Sequence, residues 1–255
     1  MRPLGEMNPE NVQFVLLDID DTLTTRGKLT AGAYGALEAL RAAGKRMVPV
    51  TGRPAGWCDH IARMWPVDAV IGENGAFYFF FADGRLQRRF WDNDAQREAK
   101  RSGLKKIAER IIAAVPGCAL ASDQPYRETD LAIDYCEDVP ALPLAAAERI
   151  ASLMREAGLT ARVSSIHVNG WFGGYDKLAM TKLLFAERFG IDLAAEQKRV
   201  VFVGDSPNDA PLFDFFENSV GVANVTRFQL VTPPKYVTQE ISGAGFEELA
   251  ARLLR

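Results

Sequence analysis

The sequence has few cysteines, no long apolar run and almost no net charge. Its three cysteines are scattered and form no Cys-x-x-Cys pair and no cluster with histidine, so neither a disulfide framework nor a zinc site is indicated. The most apolar short run, residues 77–82, is much too short to span a bilayer. Acids and bases are mixed, and the net charge of −3 indicates no nucleic-acid or membrane surface.

The first ten residues also lack the charged start and apolar core of a signal peptide, so a cytoplasmic protein is expected. Hydrophobic residues make up 48% of the 255 residues and charged residues 25%, as is ordinary for globular proteins. This length allows one large domain or two modest ones. No internal repeat or low-complexity tract interrupts the chain.

An acidic segment directly follows four apolar residues, 14–17, which are typical of a short buried strand. Asp18, Asp20 and Asp21 come next, and Asp18 and Asp20 lie on the same side if the chain stays extended. Three carboxylates at a buried strand end repel each other unless a cation lies among them, and Mg²⁺ suits such an oxygen-only cluster. The alternative is that these acids only form a turn.

Strands and helices alternate at both ends of the chain, which predicts an α/β fold with a Rossmann-like, doubly wound parallel sheet. Besides residues 14–17, strands are predicted at 46–50, 69–71, 199–203, 219–222 and 235–238, and helices at 30–43, 54–64, 177–189, 210–216 and 245–254. A β-hairpin is predicted over residues 77–90, because Asp83-Gly84 favours a tight turn.

The middle of the chain follows a different order. Helices are predicted at residues 95–115 and 143–157, and strands at 118–122, 131–136, 160–164 and 166–169. This α-β-β-α-β-β order indicates an inserted α+β domain over residues 91–169, which we call the cap. Residues 1–90 and 170–255 would then form the core domain.

Four segments at predicted strand ends or helix starts carry the groups that phosphoryl transfer requires. They are Asp18 with Asp20, then Thr51, then Lys177, and finally Asp205 with Asn208 and Asp209. A carboxylate can attack phosphorus, a second carboxylic acid can move protons, and a hydroxyl and an ammonium can hold the phosphoryl oxygens. Taken singly, each segment also allows a structural role: a helix cap for Thr51, a solvated lysine, or a tight turn over residues 204–209.

In this order, residues 18–22, residues 51–53, Lys177 and residues 204–209 resemble the four motifs of the haloacid dehalogenase-like hydrolase superfamily. The resemblance covers the whole chain, and the order of elements in the cap resembles the type IIB cap. That subfamily includes sugar-phosphate phosphatases and phosphomannomutases. Residues 73–76 and 222–224 also recur in such proteins.

The resemblance implies a role for each motif residue. Asp18 would be the nucleophile, Asp20 the general acid and base, and Thr51 and Lys177 would hold the transferring phosphoryl group. Mg²⁺ would be bound by Asp18, the backbone carbonyl of Asp20, Asp205 and Asp209. The substrate would be bound by Thr51, Gly52, Arg53, Asn74, Lys177 and Asn208. One departure is Asp21, which stands where the family usually has glycine.

The cap is expected to select the substrate. Arg127 could bind a second anionic group, while His167 and Asn169 could bind sugar hydroxyls. For each of them, a solvated or purely structural role is the alternative.

The combined prediction is a Mg²⁺-dependent phosphatase that acts on a small phosphorylated metabolite, a sugar phosphate by preference, through an aspartyl phosphate. A phosphomutase using the same two aspartates and a non-catalytic binding protein remain open, as does the choice between monomer and homodimer. A receiver-like signalling module would be shorter and would lack a cap. Dehalogenation is disfavoured, because a departing halide needs neither the second acid nor Mg²⁺.

Overall fold

The computed structural model describes residues 1–255 and contains thirteen strands and seven helices. The strands are β1 (Arg2–Pro3), β2 (Phe14–Leu17), β3 (Arg46–Pro49), β4 (Val70–Gly72), β5 (Phe77–Ala82), β6 (Arg85–Phe90), β7 (Ala119–Leu120), β8 (Leu131–Asp134), β9 (Thr160–Val163), β10 (His167–Trp171), β11 (Val200–Gly204), β12 (Asn218–Gly221) and β13 (Tyr236–Val237). The helices are α1 (Ala31–Ala42), α2 (Ala55–Met64), α3 (Asp94–Ala114), α4 (Leu144–Glu156), α5 (Lys177–Leu184), α6 (Ala210–Phe215) and α7 (Ser242–Leu253).

A six-stranded sheet in the order β1-β13-β12-β11-β2-β3 forms the centre, and all of its strand pairs are parallel. Leu17 at the end of β2 pairs with Val203 of β11 on one side and with Pro49 of β3 on the other. These three strands therefore end at one edge of the sheet. The segments that carry Asp18, Thr51 and Asp205 start from that edge, as the sequence predicts.

Helices cover both faces of this sheet. Phe14 and Leu16 pack with Met180 of α5, whereas Val15 and Leu17 pack with Leu37 of α1. Successive side chains of a strand point to opposite faces, so a strand buried on both sides needs the unbroken apolar run that β2 has. The predicted α/β fold with a doubly wound parallel sheet is confirmed.

The cap contains a second sheet, which is antiparallel and has the order β7-β8-β10-β9. Ile111 of α3 and Ile150 of α4 pack with Val168 of β10 on one face of that sheet. Since side chains alternate along β10, His167 and Asn169 lie on the opposite face. The elements follow the predicted α-β-β-α-β-β order.

The predicted hairpin is also present, with Asp83 and Gly84 at positive φ values of 52° and 72° between β5 and β6. These strands form a three-stranded antiparallel sheet with β4. Positive φ at both central residues gives the turn the twist that a two-residue hairpin requires.

Several element boundaries differ from the prediction by a few residues, and two of them, in β7 and α7, differ for reasons that a local pattern does not contain. The strand predicted at residues 118–122 is reduced to β7, because the chain turns where Gln124 N donates to the carbonyl of Ala121. Helix α7 begins three residues before the predicted start at Gly245. Its first N–H groups find acceptors far away in sequence: Ser242 N donates to Asn224 and Gly243 N to Thr25.

We propose that the cap is an inserted domain as the sequence indicates, joined to the core by the segments around residues 91–93 and 172–176. Strand β10 continues to Trp171, two residues past the predicted boundary at residue 169. No helix in the chain is both long enough and apolar enough to cross a membrane.

Candidate active site

Three buried carboxylates come together at the carboxyl edge of the central sheet. Asp18, Asp205 and Asp209 each offer an oxygen, and these oxygens all lie within 4.8 Å of one another. Asp18 follows β2 and the other two follow β11, which are neighbouring strands. The structure thus brings together acids that are more than 180 positions apart in sequence.

Lys177, the first residue of α5, lies against the same cluster. Its Nζ is 2.7 Å from Oδ1 of Asp18 and 2.7 Å from Oδ1 of Asp209. The residue before it, Asp176, caps the helix by accepting a hydrogen bond from Ala179 N. Gly75 fixes the position of this helix start, because a Cβ at Gly75, whose φ is +104°, would lie 2.1 Å from the carbonyl oxygen of Asp176.

The cluster has more negative than positive charge. Burial, followed by the charges of Asp209 and Asp20, raises the pKa of Asp18 to about 8 even though Lys177 opposes the shift. Burial and the neighbouring aspartates raise the pKa of Asp205 well above its usual range. Burial alone would lower the pKa of Lys177, but Asp18 and Asp209 raise it, so its side chain stays an ammonium.

With all three carboxylates ionised, the single ammonium would leave an excess of two negative charges in a site whose donors are all oxygens, and the raised pKa values of Asp18 and Asp205 reflect that repulsion together with burial. This donor set fits a hard divalent cation such as Mg²⁺. Asp18, Asp205 and Asp209 are the residues whose side chains would hold it.

Neighbouring side chains hold these acids in place. Oδ2 of Asp209 accepts hydrogen bonds from the backbone N–H groups of Asp205 and Ser206, at 3.1 and 3.3 Å. Asn224 donates both to Oδ2 of Asp205, at 3.2 Å, and to the carbonyl of Asp21, at 3.0 Å. The sequence singled out Asn224 only as part of a recurring segment, and its contacts show how it orients the acids.

Asp20 does not join the carboxylate cluster. Its side chain turns to Arg53, whose Nε lies 3.0 and 2.9 Å from the two oxygens and whose Nη2 lies 2.8 Å from Oδ1. Any part of Asp20 in metal binding would therefore come from its backbone carbonyl, which is the role that the family resemblance implies. Asp21 has a φ of 55°, a left-handed conformation that explains why glycine suits this position and which aspartate tolerates better than most residues.

Thr51, Gly52, Asn74 and Asn208 lie beside the acids. The hydroxyl of Thr51 accepts a hydrogen bond from Arg53 N at 3.0 Å and does not cap α2, whose first N–H instead donates to Glu73. Asn208 donates to Oδ1 of Asn74 at 3.3 Å, while Nδ2 of Asn74 is buried without a hydrogen-bond partner. A Cβ at Gly52 would lie 3.2 Å from that nitrogen, so glycine keeps the space in front of it open.

The cap closes over this part of the core. A cavity of about 10 Å³ remains between the two, which is room for at most one water molecule. Any ligand larger than a water molecule therefore needs the cap to move away before it can enter this cavity. The cavity is lined by Asp18, Asp20, Gly52, Arg53, Ser164, Ser165, Ile166, His167, Asn169, Ser206 and Asn208.

The three cap residues predicted to contact substrate have different positions. His167 and Asn169 line the cavity, and Nε2 of His167 lies 2.9 Å from Oε2 of Glu137. Arg127 does not line it. Its buried guanidinium pairs with two cap aspartates and donates to the carbonyl of Gly52 at 2.9 Å, so it is not free to bind a substrate anion in this arrangement.

Sequence reasoning missed two acids that connect cap and core. The buried carboxylate of Glu73 accepts hydrogen bonds from Ala55 N at the start of α2, at 2.9 Å, and from the cap residue Thr129, whose N–H is 2.7 Å away. Glu137 of the cap reaches Arg53 of the core. Glu73 belonged to a segment already noted as recurrent, whereas no local pattern marked Glu137.

Residues 15–110 match the family model of the haloacid dehalogenase-like hydrolases. Over this stretch the chain is similar to that family. Over 244 residues it is 24% identical to a phosphoglycolate phosphatase from Methanothrix thermoacetophila, covering 93% of this chain and 95% of that protein. The family match and this relative agree with the enzyme class that the motifs predict, a phosphatase.

Solved structures support the fold. A protein from Thermoplasma acidophilum superposes with a TM-score of 0.69 at 18% identity, covering 96% of this chain and 99% of that one. The sucrose-phosphatase of Synechocystis, solved with sucrose and phosphate, gives a TM-score of 0.64 at 15% identity, covering 95% of this chain and 98% of that one. Both similarities extend across core and cap.

Proposed function

We propose that this hydrolase is a Mg²⁺-dependent phosphatase of a small phosphorylated metabolite, with a sugar phosphate as the favoured substrate class, and that it acts through an aspartyl phosphate. The observation that carries the proposal is the different setting of two aspartates two residues apart. Asp18 lies among carboxylates against Lys177, whereas Asp20 lies outside that cluster against Arg53. These different surroundings suit Asp18 as the nucleophile and Asp20 as the group that carries the proton.

In the first half-reaction, a carboxylate oxygen of Asp18 attacks phosphorus while the bond from phosphorus to the leaving oxygen breaks. Asp20 gives its proton to that departing oxygen and becomes a carboxylate. Lys177 and Thr51 hold the phosphoryl oxygens as charge moves onto them, and the free Nδ2 of Asn74 is a further donor for one of them.

In the second half-reaction, Asp20 takes a proton from water as that water attacks the phosphorus of the aspartyl phosphate. The bond between phosphorus and the oxygen of Asp18 breaks, which releases inorganic phosphate and restores both side chains. The cap keeps other water out during the first step and has to admit one molecule for the second.

Asp18, Asp205 and Asp209, with the backbone carbonyl of Asp20, would hold the Mg²⁺ ion. When bound, the ion neutralises the charge that otherwise opposes the approach of an anionic ester to an anionic nucleophile.

A sugar phosphate suits the cap side of the site. The cavity-lining cap residues are uncharged or, like His167, lie beside an acid, and Ser164, Ser165 and Asn169 offer hydrogen-bonding groups that match hydroxyls. The sucrose-phosphatase of similar fold supports the same substrate class.

Phosphate release from a broad panel of phosphomonoesters, measured with Mg²⁺ and with EDTA, tests the proposal. We expect hydrolysis that requires the metal and is lost in Asp18→Asn, while Asp214→Asn, which changes an exposed aspartate on α6, behaves like the wild type. Phosphorylation of Asp18, detected by trapping with borohydride or by BeF₃⁻ binding, is the second readout.

Full activity of the Asp18→Asn variant, or no phosphate release from any ester, would overturn the proposal. Formation of an isomeric sugar phosphate without phosphate release would favour the phosphomutase alternative.

A further inference from the structure

All three nitrogens of the Arg53 guanidinium donate hydrogen bonds to carboxylates. Nε and Nη2 donate to Asp20, Nη2 and Nη1 also donate to Glu137 at 2.5 and 3.2 Å, and Nη1 reaches Asp123 at 3.4 Å. A guanidinium has five N–H groups, and these five contacts occupy all of them. Arg53 therefore has no donor left for a substrate anion in this arrangement, although the sequence predicted it as a substrate ligand.

The partners of Arg53 come from both parts of the protein. Asp20 belongs to the core and lies two residues from Asp18, whereas Asp123 and Glu137 belong to the cap. Arg53 itself is only 3% exposed and stacks on the ring of Trp57 at 4.2 Å. Its backbone N–H is fixed by the hydroxyl of Thr51. The guanidinium is thus held in place between the core and the cap and contacts acids of both.

The loop that carries Glu137 is equally well held. Asp134, at the end of β8, accepts hydrogen bonds from the backbone N–H groups of Cys136, Glu137 and Asp138, all at 2.8 to 2.9 Å. His167 on the neighbouring strand lies 2.9 Å from the Glu137 carboxylate. Because Glu137 is held by its own loop and by an adjacent strand of the cap, its carboxylate moves together with the whole cap.

We propose that Arg53 is a positioning residue for Asp20, and that Glu137 couples this positioning to closure of the cap. This inference rests on the proposed phosphatase function, because it concerns the proton that Asp20 gives to the leaving oxygen. Two parallel N–H donors fix both the plane and the direction of a carboxylate. Glu137 holds the opposite edge of the same guanidinium only when the cap is closed, so Asp20 is fully aligned only when the substrate is enclosed.

The simpler alternative is that Arg53 and Glu137 only hold the cap and core together. The basicity of the leaving group separates the two cases. An alkoxide needs a proton from Asp20 as it leaves, whereas p-nitrophenolate is weakly basic and needs almost none. Misplacing Asp20 should slow alkyl esters selectively, whereas a loosened cap should slow both kinds of ester alike.

The experiment compares single-turnover rates for p-nitrophenyl phosphate and for the best alkyl phosphate of the panel, with Mg²⁺ present. We expect Arg53→Ala to slow alcohol release from the alkyl ester about 100-fold. The p-nitrophenyl ester should be slowed less than about 10-fold, with KM for both esters little changed. Arg53→Lys should not rescue the rate, because lysine cannot donate two parallel hydrogen bonds. Glu137→Gln should show the same selectivity with a smaller loss.

A double variant supplies the decisive readout. If Arg53 acts through Asp20, then Asp20→Asn with Arg53→Ala should be no slower on the alkyl ester than Asp20→Asn alone. Arg89→Lys is the matched control, since Arg89 forms an exposed ion pair with Glu187 of the core at 3.1 Å and should change neither rate.

Equal losses on both esters, or losses that multiply in the double variant, would overturn the positioning role while leaving the phosphatase intact. A wild-type protein without Asp18-dependent activity would overturn both proposals. Circular dichroism identifies any variant that fails to fold. If Arg53→Ala does not fold, Glu137→Gln with the same two esters decides the question.

Discussion

Glu137→Gln should lower the free energy of unfolding, and the size of this loss should depend on pH. The substitution keeps the shape of the side chain but removes a charge that lies 2.5 Å from Nη2 of Arg53 and 2.9 Å from Nε2 of His167. The Glu137 side chain is 25% exposed, so solvent screens the contact only in part. Partial burial alone would raise the pKa of Glu137, but His167 and Arg53 lower it from 4.5 to about 2.

That shift sets both the size and the direction of the effect. A lowered pKa of this extent corresponds to about 3 kcal/mol of folding free energy, and somewhat less is lost in the variant because glutamine still accepts one hydrogen bond. Above pH 4.5 the carboxylate is charged in both the folded and the unfolded protein, so the stabilisation is complete. As the pH falls from 4.5 towards 2, the unfolded chain takes up the proton first, and the stabilisation is lost.

Urea unfolding of the wild type and the variant between pH 3 and pH 7 measures this difference. We expect the wild type to be more stable by about 2–3 kcal/mol at pH 6. The gap should fall to less than half of that value at pH 3. Glu156→Gln is the matched control, because Glu156 is a cap acid with an exposed partner, Arg149, at 3.4 Å. A gap that stays constant over this range would refute the reasoning, because then the charge of Glu137 would not be its source.

Three further substitutions test the local geometry of the site. Gly75→Ala should lower the free energy of unfolding by more than about 2 kcal/mol and reduce kcat, because a Cβ there meets the carbonyl of Asp176 and displaces Lys177; unchanged urea unfolding would contradict this. Asp21→Gly should stay active and change stability by less than about 1 kcal/mol, because the left-handed conformation at this position suits glycine; loss of activity would give Asp21 a chemical role. Asn224→Ala should weaken activation by Mg²⁺ about 10–100-fold in a metal titration, because Asp205 loses a donor that orients it; an unchanged titration curve would contradict this.

Much of the core could be predicted from the sequence because its signals are local and repeated. The run at residues 14–17 identifies a strand buried on both faces, and parallel strands end at a common edge. The proximity of Asp18 to Asp205 follows from these two facts. Lys177 could be assigned only through the family resemblance, since nothing near it in sequence shows that Gly75 fixes its helix start.

The cap shows where local patterns fail. Arg127 has the appearance of a solvated or ligand-binding loop arginine in the sequence, yet the structure buries it between Asp123 and Asp130. Whether a charged side chain is available depends on which acids the tertiary fold places around it, and a short irregular loop gives no periodicity from which to infer that.

Glu137 could not be identified from the sequence for the same reason. Its partners, Arg53 and His167, are 84 positions before it and 30 positions after it in the chain, and one of them lies in the core. A contact between two parts of a protein leaves no mark on either segment alone. Because Arg53 holds the proton carrier Asp20 on one edge and Glu137 on the other, a single guanidinium links cap position to the chemistry proposed for the core. Arg53 and Arg127 are already paired with acids, so neither is free to bind the carboxylate of a carboxylated phosphate ester in this arrangement. A polyol phosphate, which has no second anionic group, needs no such partner and is the better first choice in a search for the substrate.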